Sequence, residues 1–307
     1  LCGGGTFRQT NRPPAVMRFA VLSSGDTWHL NDIQRAAATL DHKIVPVSFR
    51  RLKVLLNDDS ARILGPEITL NEVNGIIVRT VPAGSLEQIV FRMDVLHQLV
   101  DLGIPVVNGP RAIEGCVDKF LASARLRSAG LPVPKTFVCE RADDAMEAFV
   151  HLGGDVVVKP LFGSLGRGMV RVDQEEMAYR TFTTLDRLDS VIYIQEFIQH
   201  PGWDLRAFVL DGEVVAAMKR SSRNDWRNNI ARGADGEMFD LNAEEEEAAI
   251  RAATALQADI CGVDLLPGPD GTRYVIEANS VPGWSKISQV TGVDIAEQLL
   301  RFMESKR

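Results

Sequence analysis

DVVVKPLFGSLGRGM, residues 155–169, decides how this chain is read. Val156, Val157 and Val158 make the continuous apolar run of a strand buried in a sheet, not the alternation of a half-exposed one. The run ends at Lys159-Pro160 and gives way to Gly163-Ser164-Leu165-Gly166-Arg167-Gly168, after which MVRV (169–172) reads as a further strand. A glycine-rich loop between two strands is free to wrap a polyphosphate and aim backbone N–H groups at it. It is neither the GxxxxGK(S/T) of a P-loop nor the GxGxxG that opens a helix in a dinucleotide unit, and alone it reads equally well as a hairpin loop. Lys159 shifts the balance. A lysine at the end of a buried strand is costly unless an anion compensates it, and a nucleotide phosphate is the obvious anion. The competing reading is a side chain that snorkels to solvent.

Outward from this stretch the chain divides into consecutive α/β pieces. Upstream, RFAVLSS (18–24), KIVPVSF (43–49), GIIVRT (75–80) and IPVVNG (104–109) read as strands, with helices over Asn31–Leu40 and Ser85–Leu102 between them. Ser85 with Gln88 three residues on is a capping box, and Gly103 is the stop. A second piece opens after Gly109-Pro110 with a helix over Cys116–Ser128, a strand TFVC (136–139), a helix over Ala142–His151 and then the decisive stretch. A third opens with VIYIQEF (191–197) and continues through DLRAFVLDGEVVAAMKR (204–220), where Asp211-Gly212 between apolar runs signals a hairpin. A helix over Ala243–Asp259 starts with glutamates, read as a solvated helix start favoured by the helix dipole. The strands CGVDLL (261–266) and RYVIEAN (273–279) and a helix over Asp294–Glu304 complete the piece. The expected division is an extension over 1–16, an N-terminal α/β domain over 17–110, and α+β subdomains over 111–195 and 196–307.

The bulk numbers narrow the function classes. At 307 residues with 45% hydrophobic and 24% charged residues, the chain has the balance of an ordinary globular protein with room for more than one core. Its formal net charge of -7 argues against a protein built to hold nucleic acid. The cysteines at 2, 116, 139 and 261 fall at neither metal-ligand nor redox spacing, which fits a reducing cytoplasm. No apolar run approaches the roughly 20 residues that span a bilayer, and residues 1–16 lack the apolar core of a signal peptide. Met17, followed at once by a strand, is the expected natural start.

Two further constellations carry chemistry. Glu277 and Asn279 are two apart, so they share one face of a strand, and an antiparallel neighbour can bring Asp264 beside them. Carboxylate and amide oxygens so placed suit magnesium, which completes its octahedron with phosphate oxygens and water; a merely polar sheet face fits the same pattern. The stretch KRSSRNDWRNNIARG (219–233) carries Lys219, Arg220, Arg223, Arg227 and Arg232 among Asn, Ser and Gly, so it reads as a loop. Such a loop can close over a triphosphate and neutralise charge during phosphoryl transfer, or can simply be solvated.

Taken in order, VDKFLASARLRSAGLPVP (117–134), VVVKPLFGSLGRGM (156–169), IQEFI (194–198) with WDLRAFVLDGEVVAAMKR (203–220), DWRNNIARG (225–233), GVDLL (262–266) and EANSVPG (277–283) resemble the ATP-grasp superfamily, and within it the RimK-like α-L-glutamate ligases. The resemblance implies an ATP-grasp fold, α/β (α+β), with a small N-terminal domain and two subdomains that grip ATP. It implies that Lys119 and Lys159 hold ATP phosphates under a lid that includes Gly163, Ser164, Gly166 and Gly168. Glu196 and Phe197 match the hinge that reads adenine, Asp204 the ribose carboxylate, and Arg227, Asn228 and Asn229 a further nucleotide contact. Asp264, Glu277 and Asn279 match the ligands of Mg2+, with two ions expected, Glu277 bridging them, and Mn2+ as an alternative. Arg220 and Arg232 are assigned to carboxylate binding and transition-state charge.

The implied reaction passes the γ-phosphoryl group of ATP to a carboxylate with release of ADP, and the amino group of L-glutamate or a similar amino acid attacks the acyl phosphate and expels phosphate. GIIVRT and SLEQIVFRMDVLHQLVDLGIPVVNGP (85–110) resemble the subset that adds glutamate to cofactors such as tetrahydromethanopterin more than the subset that modifies ribosomal protein tails. The expected partners are a small-molecule carboxylate acceptor and L-glutamate, with no nucleic acid or membrane, in a chain compatible with a homo-oligomer. Modification of a protein or peptide C-terminus and an ATP-binding regulatory module without turnover are the alternatives. Trp284 either stacks on a ring-containing acceptor or packs in the core.

Overall fold

The computed structural model describes residues 16–57, 61–163, 167–222, 225–227 and 233–306. Along the first unit run β1 (Arg18–Leu22), α1 (Trp28–Thr39), β2 (Lys43–Val47), β3 (Lys53–Leu56), β4 (Ala61–Leu64), β5 (Gly75–Val78), α2 (Leu86–Asp101) and β6 (Val106–Val107). β2-β1-β5-β6 form a parallel sheet, and β3-β4 a separate antiparallel pair. The expected capping box is present: the Gln88 N–H donates to the Ser85 hydroxyl, the Gln88 side chain accepts from the Ser85 N–H, and Gly103 takes φ +78 beyond the helix end.

The second unit contains α3 (Pro110–Val117), α4 (Lys119–Ser128), β7 (Thr136–Cys139), α5 (Ala142–His151), β8 (Val156–Lys159), β9 (Val170–Val172), α6 (Glu175–Arg187) and β10 (Ile192–Glu196). The single helix expected over Cys116–Ser128 is two. Asp118 adopts an extended conformation (φ -87, ψ 106) and its carboxylate accepts from the Leu121 N–H, so one residue ends α3 and caps α4. The break puts Lys119 at a helix start. β10, expected to open the third piece, belongs to the second sheet, ordered β7-β10-β8-β9, where it pairs antiparallel with both β7 and β8. The helix α6 follows from a buried stripe of Ala178 and Phe182 at helical spacing that the sequence reading passed over.

The third unit contains β11 (Trp203–Leu210), β12 (Glu213–Ser221), β13 (Asp235–Met238), α7 (Ala243–Ala255), β14 (Ile260–Pro267), β15 (Arg273–Asn279), α8 (Ser285–Thr291) and α9 (Ile295–Ser305). Its antiparallel sheet runs β13-β12-β11-β14-β15. Asp211 and Gly212 turn the β11–β12 hairpin with φ +52 and +78, the two positive values of a type I′ turn. The glutamate run caps α7 as expected, but Glu245 is not solvated: it is 2% exposed and accepts from Arg273 Nε at 2.6 Å and from the Asn242 N–H. Lys219 and Arg220 lie on β12 and not in a loop, because the alternation of β12 carries through Ser221 and turns Arg220 inward at 3% exposure.

One face of the first sheet has its own core with α2 and β4, but the other is not closed by the first unit alone. α1 and the inner face of β1 pack against α9 through Phe19, Ile33, Leu299, Leu300, Phe302 and Met303, continuous with Phe208 and Trp284 of the third unit. Asn108, 1% exposed at the end of β6, ties the two together: its amide donates to the carbonyls of Ile260 and Ser280, and its oxygen accepts the Ile260 N–H at 2.9 Å. The second sheet keeps a separate core with α5 and α6. No described helix is long and apolar enough to cross a membrane.

Candidate active site

A cleft opens between the second and third sheets, lined by Lys119, Lys159, Glu196, Phe197, Asp204, Arg220, Trp226, Arg227, Asp264 and Glu277 among others. Most of the residues singled out from the sequence therefore meet in one place, drawn from α4, β8, β10, β11, β12, β14 and β15. Ser164, Gly166, Asn228, Asn229 and Arg232 lie outside the described residues.

The two lysines approach from the second unit. Lys159 leaves the end of β8 and donates to Gln195 Oε1 at 2.6 Å; Gln195 is 3% exposed and held in turn by Thr136 and Tyr193. Lys159 as a residue keeps some exposure, but its ammonium sits among buried groups, and it is those surroundings that govern its acidity. Burial pushes its pKa down to about 8, Glu277 pulls it back up, and Lys119 adds to the depression. Lys119 Nζ donates to the carbonyl of Gly163 at 2.9 Å, so it touches the glycine loop directly; burial lowers its pKa against the pull of Glu277 and Asp118. Gly168 is needed as glycine at the far side of that loop: its φ is +72, and an added Cβ would stand 2.8 Å from Pro160 Cγ.

Acidic groups face them from the third sheet. Asp264 and Glu277 are direct cross-strand partners in the β14–β15 register, with a bulge immediately after Asp264. Asp264 Oδ2 lies 2.9 Å from Arg220 Nη2, and Arg220 also makes a two-pronged pair with Asp204, Nε to Oδ1 at 2.7 Å and Nη2 to Oδ2 at 2.8 Å. Asp264 Oδ1 is 3.0 Å from Arg206 Nη1 but out of line for a hydrogen bond, which leaves that oxygen buried with none. A buried carboxylate oxygen without a hydrogen bond, opposite Glu277, has the chemistry of a Mg2+ ligand that shares its charge with the arginines. Asn279 sits two residues beyond Glu277, and its Oδ1 accepts the Val281 N–H at 2.8 Å, leaving a second lone pair. Among the described residues no group of three His, Cys, Asp or Glu side chains gathers as a metal site on its own; a pair of carboxylates plus phosphate oxygens is what magnesium commonly uses.

Where β10 leaves the second sheet, the N–H groups of Glu196 and Phe197 are already taken by the carbonyls of Lys135 and Asp155. Ile198, the next residue, also lines the cleft, and its N–H has no partner among the described residues. The Arg171 guanidinium lies 3.7 Å over the Phe197 ring, whose edge meets Trp226 at a centroid distance of 5.9 Å, so this end of the cleft is aromatic and cationic. Arg227 lies at the same end, paired with Asp225 at 2.9 Å. Gln195 and Arg206 escaped the sequence reading. Arg206 is two residues from Asp204 on a strand, a spacing that puts both on one face and could have flagged it; Gln195 sits inside an apolar run and gave no such sign.

Residues 17–113 match the RimK PreATP-grasp domain and residues 116–303 the RimK-like ATP-grasp domain. The chain belongs to the RimK-like ATP-grasp family. It is an ATP-grasp carbon–nitrogen ligase. Among curated relatives it is similar to the tetrahydromethanopterin:alpha-L-glutamate ligase of Methanosarcina acetivorans, at 33% identity over 268 residues, 78% of this chain and 82% of that one. It is 40% identical over 216 residues to the protein of the same description from Methanocaldococcus jannaschii, covering 68% of this chain and 73% of that one. Among solved structures, the ATP-grasp ligase PsnB complexed with a minimal precursor superposes with a TM-score of 0.76 at 21% identity, over 95% of this chain and 99% of that one. The RimK-like ATP-grasp fold therefore accounts for the cleft between its second and third sheets.

Proposed function

We propose that this ligase joins L-glutamate, through its amino group, to a carboxylate of a small-molecule cofactor of the tetrahydromethanopterin type, by way of an acyl phosphate. The observation that carries the reading is the convergence of Lys119 and Lys159 on one wall of the cleft with Asp264 and Glu277 on the other. Cations from the second sheet and carboxylates from the third frame a space suited to a metal-bound polyphosphate, with ATP held between residues 111–195 and 196–307. The glutamate and pterin parts of the reading rest on the descriptions of the relatives named above.

Each residue then has a task. Lys159 and Lys119 screen the phosphates from the approaching carboxylate, which repulsion would otherwise keep away. Asp264, Glu277 and Asn279 would hold magnesium, which when bound would supply charge neutralisation for phosphoryl transfer; two ions are expected. Glu196, Phe197 and Ile198 border the base, Asp204 the ribose, and the glycine loop with Arg227, Asn228 and Asn229 the rest of the nucleotide. Arg220 fixes the two aspartates against one another, while Arg232 meets the charge that develops on the acyl phosphate. No side-chain nucleophile is needed.

The test is ADP release with Mg2+, ATP and L-glutamate against a panel of pterin, deazaflavin and peptide carboxylates. ADP release that depends on both glutamate and a pterin carboxylate is expected. Turnover with a peptide carboxylate alone would move the acceptor to a protein tail, and tight ATP binding with no turnover on any acceptor would sink the ligase reading of this site.

A further inference from the structure

Two arginines of the first unit stand buried with no acidic partner among the described residues. Arg79 follows the last residue of β5 and is 8% exposed. Its Nη2 donates to the Pro282 carbonyl at 2.8 Å, its Cζ lies 4.2 Å from the centre of the Trp284 ring, and its Nε has no hydrogen-bond partner. Arg92 on α2 is 4% exposed and donates to the carbonyl of Pro82, in the loop that leads on from Arg79. The other buried guanidinium at the third sheet, Arg220, is held by two aspartates; these two meet only neutral groups, backbone carbonyls and, for Arg79, the Trp284 ring.

The neighbouring acid is committed elsewhere. Asp32 accepts from the Trp284 indole N–H at 2.8 Å and pairs with Arg35 at 2.8 Å. Burial, with no carboxylate to offset it, pulls the Arg79 pKa down to about 9. The unscreened charge is felt next door: His29, whose Nε2 accepts the Trp284 N–H, is depressed to about 4 by burial first and by Arg79 second. A buried cation kept without its counter-charge is expensive, and such cost is tolerated where a ligand supplies the missing charge.

The position indicates which ligand. Arg79 lies at the carboxyl edge of the parallel sheet, where open α/β sheets bind their ligands. The carbonyl it holds, Pro282, belongs to the turn that follows Asn279, and the Pro282 ring lies beside Gly262 of β14, two residues from Asp264. We propose that Arg79, backed by Arg92, is a carboxylate-binding subsite for one of the two substrates being joined, at the seam between the first sheet and the Ser280–Trp284 turn. This rests on the ligase reading above; the carboxylate belongs either to the amino acid or to the acceptor.

The test uses the whole chain with MgADP present, and thermal unfolding as the readout with L-glutamate or glutarate added. A ligand that binds only the folded state raises the melting temperature. Wild-type protein is expected to be stabilised by at least one of the two, with L-glutamate alone assigning the amino acid and both equally assigning the acceptor's carboxylate. In Arg79→Met the apparent affinity should fall by about tenfold to a hundredfold, as for loss of a charged hydrogen-bond donor. The melting temperature of unliganded Arg79→Met should stay level or rise, because an uncompensated charge has gone, whereas a purely structural arginine would make it fall. Arg79→Lys, which keeps the charge but not the planar fork, and Arg92→Met, which leaves Arg79 in place, should bind with intermediate affinity. Unchanged ligand stabilisation in a folded Arg79→Met, or none in the wild type, would overturn the subsite. If ADP release ignored L-glutamate while the Arg79-dependent stabilisation persisted, the glutamate reading would fall and the subsite would stand.

Discussion

Arg220 and Asp264 meet at 2.9 Å with both side chains 3% exposed, so the strands β12 and β14 are locked by a fully desolvated ion pair. Asp204, on the strand between them, accepts from Nε of the guanidinium and shares Nη2 with Asp264. Arg220→Met would leave two carboxylates buried in one place without their cation. A loss of about 3–5 kcal/mol in urea unfolding is expected, together with loss of turnover. Lysine should not rescue it, since one ammonium cannot serve two carboxylates with a planar fork. A variant as stable as the wild type would contradict this account of the pair.

Glu277 is the least encumbered carboxylate of the site, facing Asp264 across the ladder and both lysines across the cleft. Glu277→Ala should lower magnesium-dependent ADP release by about a hundredfold or more, on the scale of removing one preorganised charge from a transition state. Raising magnesium should recover part of that loss. Near-wild-type rates at limiting magnesium would remove Glu277 from the metal.

Lys159 sets a pH dependence. Its folded pKa of about 8 lies below the ordinary 10.5, so between those values the unfolded chain carries the proton and the folded one does not. Stability contributed by this group therefore rises as pH climbs from 8 toward 10.5, and below 8 the buried ammonium is a standing cost. Lys159→Met should melt higher than the wild type near neutral pH, with the gap closing as pH rises through that window. Nucleotide affinity should run the other way, falling in the wild type as pH passes 8 and staying low and flat in the variant. Calorimetric titration of MgADP across the same range gives both curves.

Asn108→Ala removes an amide that satisfies two carbonyls and one N–H at the junction of β6, β14 and the turn after β15. Three buried backbone groups lose their partner, and a loss of about 2–4 kcal/mol in chemical denaturation is expected. Aspartate is no substitute, because an anion can only accept and the two carbonyls need a donor.

Much of this was readable in advance where a local rule acts. The Ser85–Gln88 box, the Asp211-Gly212 turn and the shared face of Glu277 and Asn279 follow from spacing alone, since a strand alternates and a helix repeats whatever surrounds it, whereas the pairing of Asp264 with Glu277 depends on a register that a bulge shifts. The errors arose where distant parts decide. One residue, Asp118, ended one helix and capped the next because its side chain reached forward, which periodicity does not register. Arg220 stood at the end of the hairpin pattern over 204–220 and at the start of the basic stretch over 219–233; the strand carries through it and seats it against Asp204 and Asp264. Trp284, considered as a stacking surface for substrate, is fully buried against His29, Phe208 and Arg79. Its neighbours come from the first and third units, and no window of sequence contains them together.

The packing of α9 against β1 and α1 has a bearing on how the chain is made. Phe19 and Ile33 emerge from a ribosome long before Phe302 and Met303, yet the four belong to one core. The first sheet therefore waits through most of translation with this core only part-built by α1, and the arrival of the last helix completes it.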